Sequence, residues 1–186
     1  RLPRQGDWVS ISAIMVTLVL SVVMFVSMLL NYEPNFIQED SFVWFDMGHF
    51  SIRLGFLIDN LTIIMLLVVA LISTCTHIFS TQYLKGDIRY SRYFAYLGLF
   101  TFSMNGIVLS NSLISMYIFW ELVGVSSYLL IGHWFEKESA ANASKKAFLT
   151  NRVGDIGFFI GIMILYSAVG SFAFSEVFDG VSNGLI

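Results

Sequence analysis

The chain has 186 residues, 56% of them hydrophobic and 12% charged, where a soluble domain carries roughly 25% charged residues. With a mean hydropathy of +0.75, this composition excludes an ordinary water-soluble globule. The net charge of −3 rests on only 10 Lys and Arg with no basic cluster beside aromatic platforms, which excludes a nucleic-acid surface. The single cysteine, Cys75, excludes a disulfide framework and a CxxC metal cluster; inside an apolar run it is expected to pack as a small apolar side chain.

Residues 8–32, 60–84, 93–120 and 156–175 hold no Asp, Glu, Lys or Arg, and about 20 apolar residues suffice to cross a bilayer as a helix. The first residue is not Met, and the uncharged run after Asp7 is too long for a signal-peptide core. The sequence therefore reads as a piece of a longer membrane protein. A first span is predicted at about 8–30. After it, Pro34, Glu39, Asp40 and Asp46 mark a segment outside the hydrocarbon. There Phe42 and Trp44, then Phe50, Ile52 and Leu54, fall at period two around Asp46-Met47-Gly48-His49, which predicts a short surface hairpin.

A second span is predicted at about 56–81, closed by Lys85, Asp87, Arg89 and Arg92. One helix over 93–120 would leave the remaining uncharged run too short to cross. Splitting at Ser110-Asn111-Ser112 gives spans at about 93–109 and 113–133 with a tight polar turn between them. A polar loop from Glu136 to Lys146 then leads to a last span at about 147–169. The fold class expected is thus an all-α membrane protein with five transmembrane helices and a short extracytoplasmic hairpin. Alternating the loops across the membrane puts Arg1, Arg4, Lys85, Arg89, Arg92, Lys137, Lys145, Lys146 and Arg152 on one side and Arg53 alone on the other. By the positive-inside rule the first side is cytoplasmic or its organelle equivalent.

Glu121 is the outlier, a carboxylate near mid-membrane, where charge costs roughly 3 kcal/mol by insertion scales and usually marks a proton or ion path. The bland alternative is a neutral, hydrogen-bonded buried acid. Tyr117, Gly124 and Tyr128 share its helical face and offer hydroxyls and room for water. In Asn151-Arg152-Val153-Gly154-Asp155, Arg152 and Asp155 are three apart and face the same way. They are either a structural pair with Arg152 snorkelling to headgroups or a charge pair coupled to Glu121. With the last span starting near 147, Asp155 should lie about 12 Å inside it. Gly154, Gly157 and Gly161 follow no strand, so close helix packing is a better reading than nucleotide binding. His77 and His133 could relay protons but rank below Glu121, since lone histidines are more often structural. No Ser-His-Asp, HExxH or P-loop pattern is present, so hydrolysis finds no support.

The run Phe119-Trp120-Glu121-Leu122-Val123-Gly124, continuing through Tyr128 to Gly132, and the run Lys146-Ala147-Phe148-Leu149-Thr150-Asn151-Arg152-Val153-Gly154-Asp155, closely resemble chain L (subunit 5) of NADH:quinone oxidoreductase, respiratory complex I. Leu57-Ile58-Asp59-Asn60-Leu61-Thr62 and Tyr90-Ser91-Arg92-Tyr93-Phe94 extend the resemblance over essentially the whole chain. The Trp-Glu element is shared with the sister antiporter-like chains and with multisubunit cation/proton antiporters, whereas Asn-Arg-Val-Gly-Asp points to chain L.

The resemblance implies that residues 1–186 form a single membrane domain equivalent to helices two to six of a longer subunit. It implies that Glu121 lies on a proton path, with Arg152 and Asp155 as supporting charges. It also implies that NADH, FMN, iron-sulfur clusters and quinone belong to other parts of the complex, with no cofactor in this chain. In the family the matching Glu pairs with a Lys on a later broken helix, a position this sequence does not include. Implied partners are the other membrane and peripheral complex I subunits, the lipid bilayer and protons, with no nucleic acid. The implied location is the bacterial inner (plasma) membrane, or else a mitochondrial inner or thylakoid membrane. A multisubunit sodium/proton antiporter subunit is the alternative function, and a passive membrane scaffold a third.

Overall fold

The computed structural model describes residues 6–46 and 51–184. In chain order it contains α1 (Asp7–Leu30), β1 (Ile37–Asp46), β2 (Ser51–Asp59), α2 (Asn60–Tyr83), α3 (Tyr90–Leu109), α4 (Leu113–Ile131), α5 (Glu138–Val169) and α6 (Phe174–Ser182). Consecutive long helices pack on one another from α1 to α5, and α1 also touches α3. Four of them, α1, α2, α4 and α5, are long and apolar enough to cross a membrane. The fifth expected crossing, α3, has 20 residues, but Arg92, Thr101, Ser103 and Asn105 dilute its apolarity, and it lies packed between α2 and α4.

Burial is inverted relative to a soluble protein. Leu20, Leu29, Ile72, Phe79, Phe102 and Ile164 are exposed, while Ser73, Thr74, His77, Thr101, Ser103 and Ser126 are buried. Lipid solvates apolar side chains as well as a protein core does, so helices associate through small and polar side chains instead. Most buried hydroxyls bond to a carbonyl of the preceding turn, such as Thr74 to Ala70 at 2.7 Å and Ser103 to Leu99 at 2.7 Å. Between helices, Ser73 and Thr101 join α2 to α3 at 3.0 Å.

The acidic end of the bundle carries the hairpin. Strands β1 and β2 pair antiparallel from Ile37↔Asp59 to Asp46↔Ser51, with a register irregularity between Val43 and Phe45. The expected hairpin is therefore present and longer than predicted, and the irregularity at Trp44 interrupts the simple alternation on β1. Met47, Gly48, His49 and Phe50 lie outside the described residues, as do Arg1 and Arg4. Asp59 ends β2 and caps α2, its carboxylate accepting the Thr62 N–H at 2.7 Å, so α2 starts four residues later than the apolar run suggested. A Cβ on Gly55 would lie 2.1 Å from the Asp40 carbonyl oxygen and 2.7 Å from Asn111 Nδ2. Only glycine fits this crossing of the hairpin over the α3–α4 link.

The split at Ser110-Asn111-Ser112 is as expected, and all three residues are buried. The link bridges Phe56 through Ser110 and Ala173 through Ser112, and the Ser112 hydroxyl caps α4 by accepting the Ser115 N–H at 3.3 Å. The loop expected at Glu136–Lys146 is instead mostly helical, because α5 begins at Glu138 and runs 32 residues, about 48 Å. Asp155 is thus about 26 Å from the first residue of its helix rather than 12 Å. α5 stops at Gly170, whose φ of 80° is the left-handed conformation glycine adopts freely. α6 was not predicted. Cys75 is exposed on α2 rather than packed inside. Gly154, Gly157 and Gly161 also depart from expectation, since a Cβ on any of them meets nothing within 4 Å; no described helix approaches that face.

Candidate functional site: a charge triad between α4 and α5

α4 turns one face to α5. Tyr117 packs its ring on Phe158 and Phe159 at 5.7 and 5.5 Å, and Tyr128 packs on Phe148 at 5.4 Å. Gly124, between them, leaves room: a Cβ there would come within 3.3 Å of Arg152 Nη2. This is the face the sequence assigned to Glu121, and Glu121 forms an ion pair with Arg152. Arg152 Nη1 also lies 3.6 Å from Asp155 Oδ2. One guanidinium therefore bridges two carboxylates, one from each helix.

Two further side chains complete the arrangement, and sequence reasoning missed both. The Trp120 indole N–H donates to Asp155 Oδ1 at 2.9 Å, so Asp155 accepts from one helix while facing the cation on its own. The Arg152 guanidinium carbon sits 4.6 Å from the ring centroid of Phe148, a cation–π platform. Trp120 adjoins Glu121 in the quoted Trp-Glu motif, which was the available signal; nothing in the spacing pointed to Phe148.

Asp155 is the most enclosed member, its side chain 8% exposed, against 24% for Glu121 and 28% for Arg152. The guanidinium thus rests on the more accessible carboxylate, Glu121, with the enclosed Asp155 as its second, more distant acceptor. Arg152 Nε is buried without a hydrogen-bond partner among the described residues, a donor left over in a place where unsatisfied donors are costly. With both acids ionised the triad, two carboxylates and one guanidinium, has a formal charge of −1; one bound proton neutralises it.

The two histidines stand apart from the triad. His77 is buried, with Nδ1 2.8 Å from the Ser73 carbonyl oxygen and Nε2 3.1 Å from the Ser10 hydroxyl. A carbonyl only accepts, so Nδ1 carries the hydrogen and Nε2 accepts from Ser10, tying α2 to α1. His133 lies just past α4 with Nε2 3.5 Å from Asp87 Oδ2. Around it the α2–α3 and α4–α5 links are joined. Arg89 pairs with Glu136 and donates to the His133 carbonyl at 2.9 Å, and the Trp134 indole donates to Asp87 at 3.0 Å. The Arg89 backbone N–H above all, helped by Trp134 and His133, holds the Asp87 carboxyl below its ordinary range against the opposing effect of burial.

Residues 110–185, which contain the whole triad, match the family described as NADH:quinone oxidoreductase/Mrp antiporter, TM. Residues 44–94 match NADH-ubiquinone oxidoreductase (complex I), chain 5 N-terminus. The chain belongs to the antiporter-like family of complex I membrane subunits. It is 47% identical over 163 residues to the chloroplastic NAD(P)H-quinone oxidoreductase subunit 5 of Adiantum capillus-veneris, covering 86% of this chain and 22% of that protein. The counterpart in Anthoceros angustus is 48% identical over 179 residues, 95% of this chain and 24% of that one. The chain thus spans about a quarter or less of the length of these relatives.

The antiporter-like fold is also seen in solved structures. An archaeal membrane-bound sulfane sulfur reductase superposes with a TM-score of 0.77 at 17% identity, over 95% of this chain and 34% of that one. The Mrp complex of Dietzia sp. DQ12-45-1b does so with a TM-score of 0.74 at 18% identity, over 94% and 18%. Composition, spans and family together make this a membrane protein.

Proposed function

We propose that the chain is part of a proton-translocating membrane subunit of NADH:quinone oxidoreductase, and that the Glu121–Arg152–Asp155 triad is a station on its proton path. The observation that carries this reading is the shared guanidinium. In the resting arrangement Arg152 neutralises Glu121. When a charge moves nearby, the guanidinium shifts toward Asp155, only 3.6 Å away and held in place by Trp120. Glu121 then loses its counter-ion in a poorly solvated interface and takes up a proton, since desolvation disfavours the charged form. Return of Arg152 expels the proton. Only a proton is exchanged, and no bond other than O–H forms or breaks.

In this reading NADH is oxidised and quinone reduced in other subunits of the translocase, which hold the FMN and iron-sulfur clusters. The chain itself is a single membrane domain of a longer polypeptide, set among other complex I membrane and peripheral subunits with lipid around them. Its basic end faces the cytoplasm of a bacterium, or the equivalent compartment of an organelle, as the chloroplast relatives suggest. Relatives at 47–48% identity named as oxidoreductase subunits favour complex I over a stand-alone sodium/proton antiporter.

Glu121→Gln is the test. It keeps side-chain size and removes the titratable proton. In the assembled complex, at matched subunit content, proton pumping should fall and coupled quinone reduction should slow, while Glu121→Asp retains part of both. Full assembly with pumping at the parental rate and proton-to-electron ratio would make Glu121 a structural acid.

A further inference from the structure

At the basic end of the bundle a cavity of about 380 Å³ opens between α3, α4 and the start of α5, within the roughly 300–1,000 Å³ usual for ligand pockets. Arg92 and Tyr96 from α3, Tyr128 from α4, and Ser144 and Lys145 from α5 line it, and no Asp or Glu does. The neighbouring cations have partners: Arg89 has Glu136 and Arg152 has Glu121. Arg92 and Lys145 make no ion pair among the described residues. His133, which edges the same cavity, is 5% exposed; its Nε2 faces Asp87 Oδ2 at 3.5 Å, and its Nδ1 has no hydrogen-bond partner among the described residues.

Two unpaired cations facing one cavity repel each other, and phenolic hydroxyls around them supply donors rather than a compensating charge. Such a lining is complementary to an anion with several oxygen acceptors. The cavity sits where the apolar runs of α3 and α4 give way to charged links, the level at which Tyr side chains and phospholipid headgroups meet. We propose that it holds the phosphate group of an anionic phospholipid, with Arg92 and Lys145 as its cations and Tyr96 and Tyr128 as further donors. Basic pockets between helices on the cytoplasmic side of membrane proteins recognise headgroups in this way. The apolar outer faces of the helices, with Phe102 and Ile131 exposed, accommodate the acyl chains. This site is distinct from the Glu121 triad and does not depend on its role.

The test uses the full-length subunit in its complex, delipidated and returned to phosphatidylcholine nanodiscs with increasing phosphatidylglycerol, a fraction of it photoactivatable. Crosslinks should map to peptides around Arg92 and Lys145, and unlabelled phosphatidylglycerol but not phosphatidylcholine should compete. Each of Arg92→Gln and Lys145→Gln should raise the half-saturating lipid fraction about fivefold, from about 1 kcal/mol per basic residue near a lipid surface. The pair together should raise it about 30-fold. Ala141→Phe, which keeps both charges but fills the cavity, should also weaken labelling, and the charge-conserving exchange Arg92→Lys with Lys145→Arg should label as the parent does. Unchanged half-saturation in Arg92→Gln/Lys145→Gln overturns the proposal. So does labelling that persists in Ala141→Phe. If inorganic phosphate displaces the probe as well as phosphatidylglycerol does, the site belongs to soluble phosphate and the lipid assignment is wrong. Loss of pumping in Glu121→Gln with unchanged lipid labelling, or the reverse, separates the two proposals.

Discussion

If Arg152 is the counter-ion of both acids, its removal should be far worse than the removal of either acid together with it. Arg152→Gln leaves Glu121 and Asp155 facing each other across the α4–α5 interface, at 24% and 8% side-chain exposure, with no cation between them. At the 3.6 Å separation of Arg152 and Asp155, an effective dielectric constant near 20 gives a gross attraction of about 4 to 5 kcal/mol. Desolvation offsets much of this. The measurable quantity is the coupling in a double-mutant cycle, for which contacting charges give about 0.5–3 kcal/mol. We expect Arg152→Gln to lower both the pumping rate and the thermal stability of the detergent-extracted complex. Adding Glu121→Gln should restore stability, because the uncompensated acid is gone, but not pumping, because the titratable group is gone too. Asp155→Asn alone should be milder than Arg152→Gln, because Arg152 keeps Glu121 as its partner. Pumping into sealed vesicles and the melting temperature, both normalised to subunit content, read the two arms separately. Stability losses that add to within about 0.5 kcal/mol across the cycle would mean that the guanidinium does not couple the acids, and the triad argument would be wrong.

Two further expectations follow from the ends of the bundle. Single cysteines at Lys137 and Glu176, both exposed and in a Cys75→Ser background, should react with a membrane-impermeant maleimide from opposite faces of sealed vesicles, Lys137 from the cytoplasmic side. Same-face labelling would refute the alternation of helices on which the positive-inside assignment rests. Asp87, whose pKa is depressed by the Arg89 N–H, contributes stability that is present above its ordinary value of 3.8 and lost as pH falls through the lower folded value. Amide protection factors in the 84–89 and 132–137 links, which remove the intrinsic pH dependence of exchange, should therefore be constant near neutrality and fall only below about pH 4, and Asp87→Asn should remove that acid step.

The spans were legible because charge-free runs of helical length have few other meanings, and the Ser110–Ser112 break was legible because one helix could not use all the apolar residues available. The face of α4 was legible too: Tyr117, Glu121, Gly124 and Tyr128 follow helical spacing, and they do meet α5. What spacing cannot give is the partner across an interface. Glu121 and Arg152 belong to different helices, and whether they meet depends on how α4 and α5 are rotated about their axes. The start of α5 was missed for another reason. Glu138-Ser-Ala-Ala-Asn-Ala-Ser-Lys-Lys146 is rich in good helix formers, but hydropathy was the criterion, and a helix that protrudes into water has no need to be apolar. In α6, Phe174, Val177, Phe178 and Val181 fall at i, i+3, i+4 and i+7, a usable signal. Buried Val177 joins Leu113, Ile162 and Phe172 in a small apolar cluster at the acidic end, and partly buried Phe174 packs against it.

The inverted burial of this bundle also explains why charge movement would concentrate at one interface. Serine and threonine hydroxyls inside α2, α3 and α4 mostly donate to carbonyls of their own helix, as Thr74, Thr101 and Ser126 do. A hydroxyl committed in that way stabilises its helix but hands no proton to a neighbour. His77 is likewise fixed between Ser73 and Ser10. Among the described residues, the group between the long helices that joins a titratable acid to a cation within reach of a second acceptor is the one formed by Glu121, Arg152 and Asp155, where the guanidinium also has an unused buried Nε. In the proposed mechanism one cation with two carboxylates in reach has two arrangements, Arg152 on Glu121 as found here or drawn toward Asp155 3.6 Å away. A small displacement of charge nearby selects between them, which is what a coupled proton path requires of each of its stations.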